Sequence, residues 1–247
     1  MFKAKKRFGQ NFLTDRLIVQ KIIEATPDYP TRIVEIGPGL GDLTEAILAK
    51  RALTAIEIDA NLVGVLRKRF ASAVAQGRLT LYCADALEAW KNGLANEPYA
   101  IVANLPYYVA TEIILKALRD PLCKTIVVMT QLEVAQKFCA LGAANSLSLL
   151  VQSIGSAEML FKVPKEAFNP APKVESAVIK IVKTEERYDE GFSRFLKRAF
   201  KTPRKRLANA LNAPITTLEE LGIGANARAH ELSLEQFKRL YKGLKDE

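Results

Sequence analysis

Short runs in which nearly every residue is apolar alternate along this chain with longer stretches of helical period. RIVEIG, LTAIEID, RLTLYCAD, YAIVANL and TIVVMTQ are strand-like, and GDLTEAILAK, NLVGVLRKRFASAV, a short segment at Ala86–Trp90 and ATEIILKALRD separate them as helices. A strand covered on both faces loses the apolar–polar alternation of a half-exposed one. Five such runs joined by helices therefore predict a mostly parallel, doubly wound α/β sheet. TDRLIVQKIIEAT, ahead of them, predicts a capped amphipathic helix with Leu17, Ile18, Ile22 and Ala25 at helical spacing. The pattern then changes. EMLFKVP and SAVIKIV are strands joined by the proline-rich KEAFNPAPKVE, which predicts an antiparallel hairpin at the sheet edge. KTEERYDEG has the composition of a linker, and FSRFLKRAFKTPRKRLANALN, TTLEELG and SLEQFKRLYKGL are helical. These patterns divide the chain at 185/186 into an α/β domain (1–185), which includes the N-terminal segment and helix, and a small all-helical domain (186–247).

Right-handed crossovers bring the C-terminal tips of parallel strands to one sheet edge. That edge is predicted to collect Gly37, Glu57, Asp85 and Asn104. Gly37-Pro38-Gly39-Leu40-Gly41 follows the first strand; glycines permit a tight turn and close backbone approach to a ligand, beside the free N–H groups of a helix start. A dinucleotide fingerprint places its third glycine at position 42, where this chain has Asp42. The GxGxG form resembles the loop of Rossmann-fold methyltransferases that bind S-adenosylmethionine. Glu57, which closes AIEID, is placed to accept from ribose hydroxyls, and Asp59 reads as a helix cap. Asp85, which closes the third strand, fits two roles equally: acceptor for an adenine amino group, or cap of the next helix.

Asn104-Leu105-Pro106-Tyr107 ends an apolar strand with an amide, a proline and a phenol, followed by Tyr108. It resembles the (N/D/S)-(L/P)-P-(Y/F) tip of methyltransferases that modify an exocyclic amino group. An aromatic amine is a poor nucleophile because its lone pair is delocalised into the ring. The Asn104 side-chain oxygen and the Leu105 carbonyl can accept its two hydrogens, aim the lone pair and stabilise developing positive charge. Pro106 fixes the turn and Tyr107 offers a face to an extruded base. Phe168, in the loop FNPAPKVES, is either the second face of an aromatic clamp or a core residue beneath the prolines. Tyr108 is given no role beyond supporting the turn.

Composition narrows the partners. The chain has 247 residues, a net charge of +9 and a single histidine, His230. A histidine-dependent triad is disfavoured and a multi-histidine metal site excluded, so no metal is expected. Cys83, Cys123 and Cys139 lack metal-ligand spacing and read as buried, reduced thiols. No apolar run of membrane-spanning length and no secretory signal pattern is present, so a cytoplasmic protein is expected. The positive charge clusters: Arg194, Lys197, Arg198 and Lys201 recur at i, i+3, i+4, i+7, opposite Phe192, Phe195, Leu196 and Ala199. Arg204, Lys205 and Arg206 extend this stripe, and Lys3, Lys5, Lys6 and Arg7 form a second basic segment. An acid-free stripe of this kind points to nucleic-acid phosphates.

KKRFGQNFL, EIGPGLGDLT, AIEID, ADAL, NLPYYVAT, QLEVAQKF, FNPAPKVESAV, RKRLANAL and RAHELSLEQF occur in this order over essentially the whole chain. Together they resemble the bacterial small-subunit ribosomal RNA adenine dimethyltransferases. The resemblance implies a Rossmann-like class I methyltransferase fold. It further implies transfer of methyl groups from S-adenosylmethionine to N6 of two adjacent adenosines in the 3′-terminal hairpin of 16S rRNA, within a partly assembled small subunit. Cofactor contacts would fall on Asn11, Leu13, Gly37, Gly39, Glu57, Asp85 and Asn104, base contacts on Tyr107 and Phe168, and rRNA contacts on the helical domain, with no need for more than a monomer. Leu132 stands where that family usually carries lysine, and Asn145-Ser146 where it usually has Tyr-Gly. Macrolide-resistance methyltransferases of large-subunit rRNA share the NLPY-like tip and are the nearest rival. The KVES loop and RKRLANAL favour the small-subunit reading. A non-catalytic RNA-binding assembly factor on the same scaffold is the rival from another class.

Overall fold

The structure is a computed structural model and describes residues 10–140, 142–185 and 187–244. It forms two compact units, Met1–Ala135 with Glu158–Lys183 and Gln136–Ala157 with Thr184–Glu247. The cut expected at 185/186 therefore meets a further exchange, in which Gln136–Ala157 joins the C-terminal helices.

The first unit opens with β1 (Phe12–Leu13) and α1 (Arg16–Ala25), followed by β2 (Arg32–Ile36), α2 (Asp42–Leu48), β3 (Leu53–Glu57), α3 (Ala60–Arg69), α4 (Ala71–Ala75), β4 (Leu79–Cys83) and α5 (Ala86–Ala89). It continues through β5 (Tyr99–Asn104), α6 (Ala110–Arg119) and β6 (Cys123–Gln131), and α7 (Leu132–Phe138) follows. β7 (Gly155–Val163), β8 (Phe168–Asn169) and β9 (Ser176–Lys183) complete its strands. Seven strands lie in the order β4-β3-β2-β5-β6-β9-β7. The first five are parallel, and β9 runs antiparallel to β6. This is the expected mixed α/β sheet with its terminal hairpin. Strand order reverses between β2 and β5, and ligands of open α/β sheets bind at such a switch point.

Burial explains the patterning. Ile33, Val34, Ala100, Ile101 and Val102 on the central strands are fully buried. At the edge, β4 exposes Tyr82 and Cys83, so Cys83 departs from the expected burial because no strand lies beyond it. Helix α1 is capped by the Asp15 carboxylate, which accepts from Leu17 N at 2.8 Å and Ile18 N at 3.2 Å. Its buried face is Ile18, Val19, Ile22 and Ile23; Leu17, expected inward, is 75% exposed. Those four positions form an i, i+1, i+4, i+5 stripe, and 100° per residue turns Leu17 off its edge.

A two-stranded ribbon that the sequence patterning did not reveal pairs β1 with β8, Phe12 opposite Asn169 and Leu13 opposite Phe168. Thr14 N donates to the Ala167 carbonyl at 2.9 Å beside it. The ribbon fastens residues 12–14 to the loop before β9.

In the second unit, α8 (Ser146–Gln152) is capped by Asn145, whose side chain accepts from Leu147 N and Ser148 N, so Asn145 has a structural function. Leu149, Leu150 and Val151 of α8 are buried, and α8 packs on α9 (Glu190–Phe200), which accounts for the exchange of Gln136–Ala157. α10 (Leu207–Leu211), α11 (Ile215–Glu220) and α12 (Leu234–Gly243) follow. The expected helix from Phe192 to Asn212 is broken between Phe200 and Leu207, around Pro203, which has no N–H to donate. Likewise α3 and α4 replace one longer helix, parting at Phe70.

Phe168→Ala is expected to cost about 3–5 kcal/mol, because it empties a buried site and removes the apolar anchor of the β1–β8 ribbon. Denaturant unfolding checks this; Phe168→Leu should cost clearly less.

Candidate active site

Gly37, Glu57, Asp85 and Asn104, the four residues expected at one sheet edge, line a single cavity in the first unit. Asn11, Leu13, Gly39, Leu105, Pro106 and Tyr107 share its wall. Gly39 has φ +61, and a Cβ there would lie 3.1 Å from the Phe12 ring. A side chain at this position is strained and would push the N-terminal segment away. Gly37 faces the Pro106 ring at a distance that brings the glycine loop against the NLPY tip.

Glu57 is 4% exposed. Its Oε1 accepts from Asp59 N at 2.9 Å and its Oε2 from Gly39 N at 3.2 Å. Each carboxylate oxygen has a second lone pair, so the group is held in place while still able to accept two ligand hydroxyls. Burial raises its pKa, opposed by these backbone donors. Asp85 combines its two candidate roles. Its Oδ1 caps α5 by accepting from Leu87 N at 2.8 Å, while the residue is exposed on the cavity wall. Asp59 caps α3 through Asn61 N, as expected, and its other oxygen accepts from Gln10 Nε2 at 3.2 Å.

At the NLPY tip, Asn104 Nδ2 donates to the Asn11 carbonyl at 3.1 Å. A carbonyl can only accept, so this hydrogen bond fixes the amide orientation and leaves Oδ1 as the end available to a ligand. The Pro106 carbonyl is occupied by Val109 N at 3.2 Å, and among the described residues nothing donates to the Leu105 carbonyl. Tyr107 is half-buried, its hydroxyl 2.5 Å from Ser176 Oγ, and burial raises its pKa. The structure thus brings together the two proposed amine acceptors and one aromatic face.

Phe168 stands apart. It is 4% exposed, belongs to the hydrophobic core with Leu13, Ile18 and Ile22, and is absent from the cavity wall. Of its two expected roles the geometry carries the core one, because pairing with Leu13 turns its side chain inward. Lys3, Lys5, Lys6 and Arg7 lie outside the described residues. In the second unit Arg194, Lys197, Arg198, Lys201, Arg204, Lys205 and Arg206 are all exposed, whereas Phe192, Phe195, Leu196 and Ala199 are buried. None of these seven cations has an ion-pair partner among the described residues.

Sequence reasoning did not assign Glu35, Ser176, Gln10 or Phe12. Glu35 is 1% exposed on the cavity wall and accepts from Thr44 Oγ1 at 2.7 Å. Its carboxyl is pushed up to about 8, chiefly by burial, with the Glu57 and Asp42 charges adding to the rise and the Thr44 bond opposing it. A carboxylate flanked by the apolar Ile33, Val34 and Ile36 of β2 was the available signal. For Ser176, the signal was its place in the KVES motif. Among the described residues, the wall carries Glu35, Asp42, Glu57 and Asp85 and no lysine, arginine or histidine. Such a cavity suits a ligand that is cationic and rich in donors, and it disfavours a phosphate-bearing cofactor. No group of residues suited to a metal is found among those described, and no helix is long and apolar enough to cross a membrane.

A family model described as "Ribosomal RNA adenine dimethylase" matches residues 1–246. A "Ribosomal RNA small subunit methyltransferase A" from Sulfurimonas denitrificans is 47% identical over 97% of this chain and 93% of its own. One of the same name from Campylobacter curvus is 46% identical over 100% of this chain and 94% of its own. Among solved structures, the 23S rRNA methyltransferase ErmE superposes with a TM-score of 0.75 at 26% identity, covering 95% of this chain and all of ErmE. A dimethyladenosine transferase from Plasmodium falciparum gives 0.79 at 24% identity over 95% and 98%, and supports the fold.

Glu35 makes stability depend on pH. Its folded pKa exceeds the ordinary 4.5, so between about pH 5 and 8 the folded chain binds more protons than the unfolded one, and stability falls as pH rises through that window. Glu35→Gln should flatten this decline. Unfolding midpoints measured from pH 5 to 8 check it; an unchanged slope would assign the titration to another group.

Proposed function

The chain belongs to the ribosomal RNA adenine dimethylase family, and from that premise we propose that it dimethylates N6 of two adjacent adenosines in the 3′-terminal hairpin of 16S rRNA, within a partly assembled small subunit. The observation that carries the site assignment is the Asn104 amide, held by the Asn11 carbonyl with its oxygen free, beside an acidic nucleoside pocket. The residues fit the cofactor. S-Adenosylmethionine supplies, when bound, a methyl group on a cationic sulfonium that an attacking nitrogen takes by in-line displacement. Glu57 accepts from the cofactor ribose and Asp85 from its adenine amino group, while the Asp42 carboxylate on the same wall favours its positive charge.

Asn104 Oδ1 and the Leu105 carbonyl accept the hydrogens of the target amine. Two acceptors held off the ring plane favour a pyramidal nitrogen and stabilise charge that develops only during transfer, so they lower the barrier rather than merely tighten binding. The proton then leaves to solvent, and no strong general base is required. Tyr107, tethered to Ser176, offers its face to the extruded base. The exposed Arg194–Arg206 stripe supplies cations to rRNA phosphates, and Phe168 serves by anchoring the β1–β8 ribbon next to Asn11.

Asn104→Ala should retain binding of S-adenosylmethionine within a few fold while reducing turnover by at least about 100-fold, the scale of removing an oxyanion-type donor. Labelled methyl donor and small subunits lacking dimethyladenosine check this. Primer extension should map the wild-type product to the terminal hairpin; label in large-subunit RNA would move the assignment to the macrolide-resistance class. Charge reversal at Arg194, Lys197 and Arg198 should weaken subunit binding and lower its salt slope by about 0.7–0.9 for each phosphate no longer neutralised. An unchanged slope would reject the stripe as an RNA-binding surface.

A further inference from the structure

The two tyrosines of the NLPYY tip differ in their surroundings. Both follow β5, the strand with β2, β3 and β4 on one side and β6 and β9 on the other. Tyr107 is tethered by its hydroxyl to Ser176, the first residue of β9, and so belongs to the β9 side. Tyr108 lines the same cavity but is 60% exposed, and no hydrogen bond holds its hydroxyl among the described residues. After partial burial, its phenol is raised by the Asp85 and Glu57 carboxylates, which stand at the tips of β4 and β3. Tyr108 therefore lies within electrostatic reach of the two groups assigned to the cofactor nucleoside. A large aromatic ring left mostly in water at the mouth of a pocket is a surface that a planar ligand can cover.

We propose that Tyr108 is a cofactor-binding residue whose ring closes over the adenosine of S-adenosylmethionine, on the side of the tip opposite the base-holding Tyr107. The assignment rests on the reading of Glu57 and Asp85 as the nucleoside subsite. The bound adenine would be held at its edge by Asp85, at its ribose by Glu57 and on one face by Tyr108. Stacking is tolerant of small displacements, which suits a ring carried on a turn rather than on the strand itself. The division of labour would give each of the tip's two adjacent phenols its own nucleoside.

The test is binding of S-adenosylhomocysteine and of free adenosine by calorimetry to the full chain, in wild type, Tyr108→Ala, Tyr108→Phe and Asp85→Ala. Because Tyr108 is exposed, its truncation is expected to leave the unfolding midpoint of the ligand-free protein in place. Tyr108→Ala should weaken both ligands by a similar factor of about ten, Tyr108→Phe should restore wild-type affinity, and Asp85→Ala should weaken both. Unchanged affinity in Tyr108→Ala with weaker binding in Asp85→Ala would overturn the role of Tyr108 and leave the nucleoside subsite standing. Unchanged affinity in Asp85→Ala would remove the adenine subsite and the proposal with it. Weaker binding of S-adenosylhomocysteine but not of adenosine in Tyr108→Ala would also overturn stacking, since it would locate the effect at the methionine end.

Discussion

The hydrogen bond from the Asn104 amide to the Asn11 carbonyl joins the end of a central strand to a segment ninety-three positions earlier. Asn104 sits on β5 beside β2, at the point where strand order reverses, and what it can offer a ligand depends on which end of the amide is engaged. Asn11 can engage it only because the following residues are fastened down. Phe12 packs over Gly39, Leu13 pairs with Phe168, and Thr14 bonds the Ala167 carbonyl. The glycine loop is bound into the same arrangement, since Gly39 N donates to Glu57 and Gly37 abuts Pro106. A substitution just behind the cavity wall, at Phe168 for example, removes a link from this chain of neighbours. Preorganisation of that kind spares a bound ligand the cost of turning the polar groups into place.

Charge is distributed unevenly over the chain. The cavity wall concentrates carboxyls and excludes cations among the described residues, although the chain as a whole is strongly basic. Burial raises the pKa of both Glu35 and Glu57, so ionising these carboxyls is costly in the ligand-free protein. A cationic ligand relieves that cost by the same Coulombic argument that makes like charges unfavourable in a low-dielectric recess. The basic residues of α9 stand on the face of their helix turned away from its aromatic packing, where Phe192, Phe195 and Tyr241 cluster. Segregation of the two faces lets one short helix bury its aromatic side in the core while its basic side stays exposed.

Most of the α/β scaffold was legible in the sequence, since apolar runs buried on both faces and their helical crossovers are local patterns. The glycine loop, Glu57, Asp85 and Asn104 were legible for the same reason: each follows directly from its place at the end of a strand or in the turn after it. The places where the structure departs from expectation, or chooses between two expectations as at Phe168, share a cause. Leu17, Phe168 and Cys83 have side chains suited to either environment, and their burial was set by partners distant in sequence. Pro203 marked a helix break that apolar periodicity alone ran across.

By itself the sequence determined the succession of strands and helices, the residue types at each strand tip and the family, because these are carried by local periodicity and by motifs in a fixed order. Only the tertiary structure decided which end of the Asn104 amide is engaged, that Glu35 joins the cavity wall, and that Tyr107 is tethered to Ser176 while Tyr108 stays exposed. Those outcomes turn on how residues from separate strands and loops meet, and no local pattern encodes the direction in which a side chain meets such a partner.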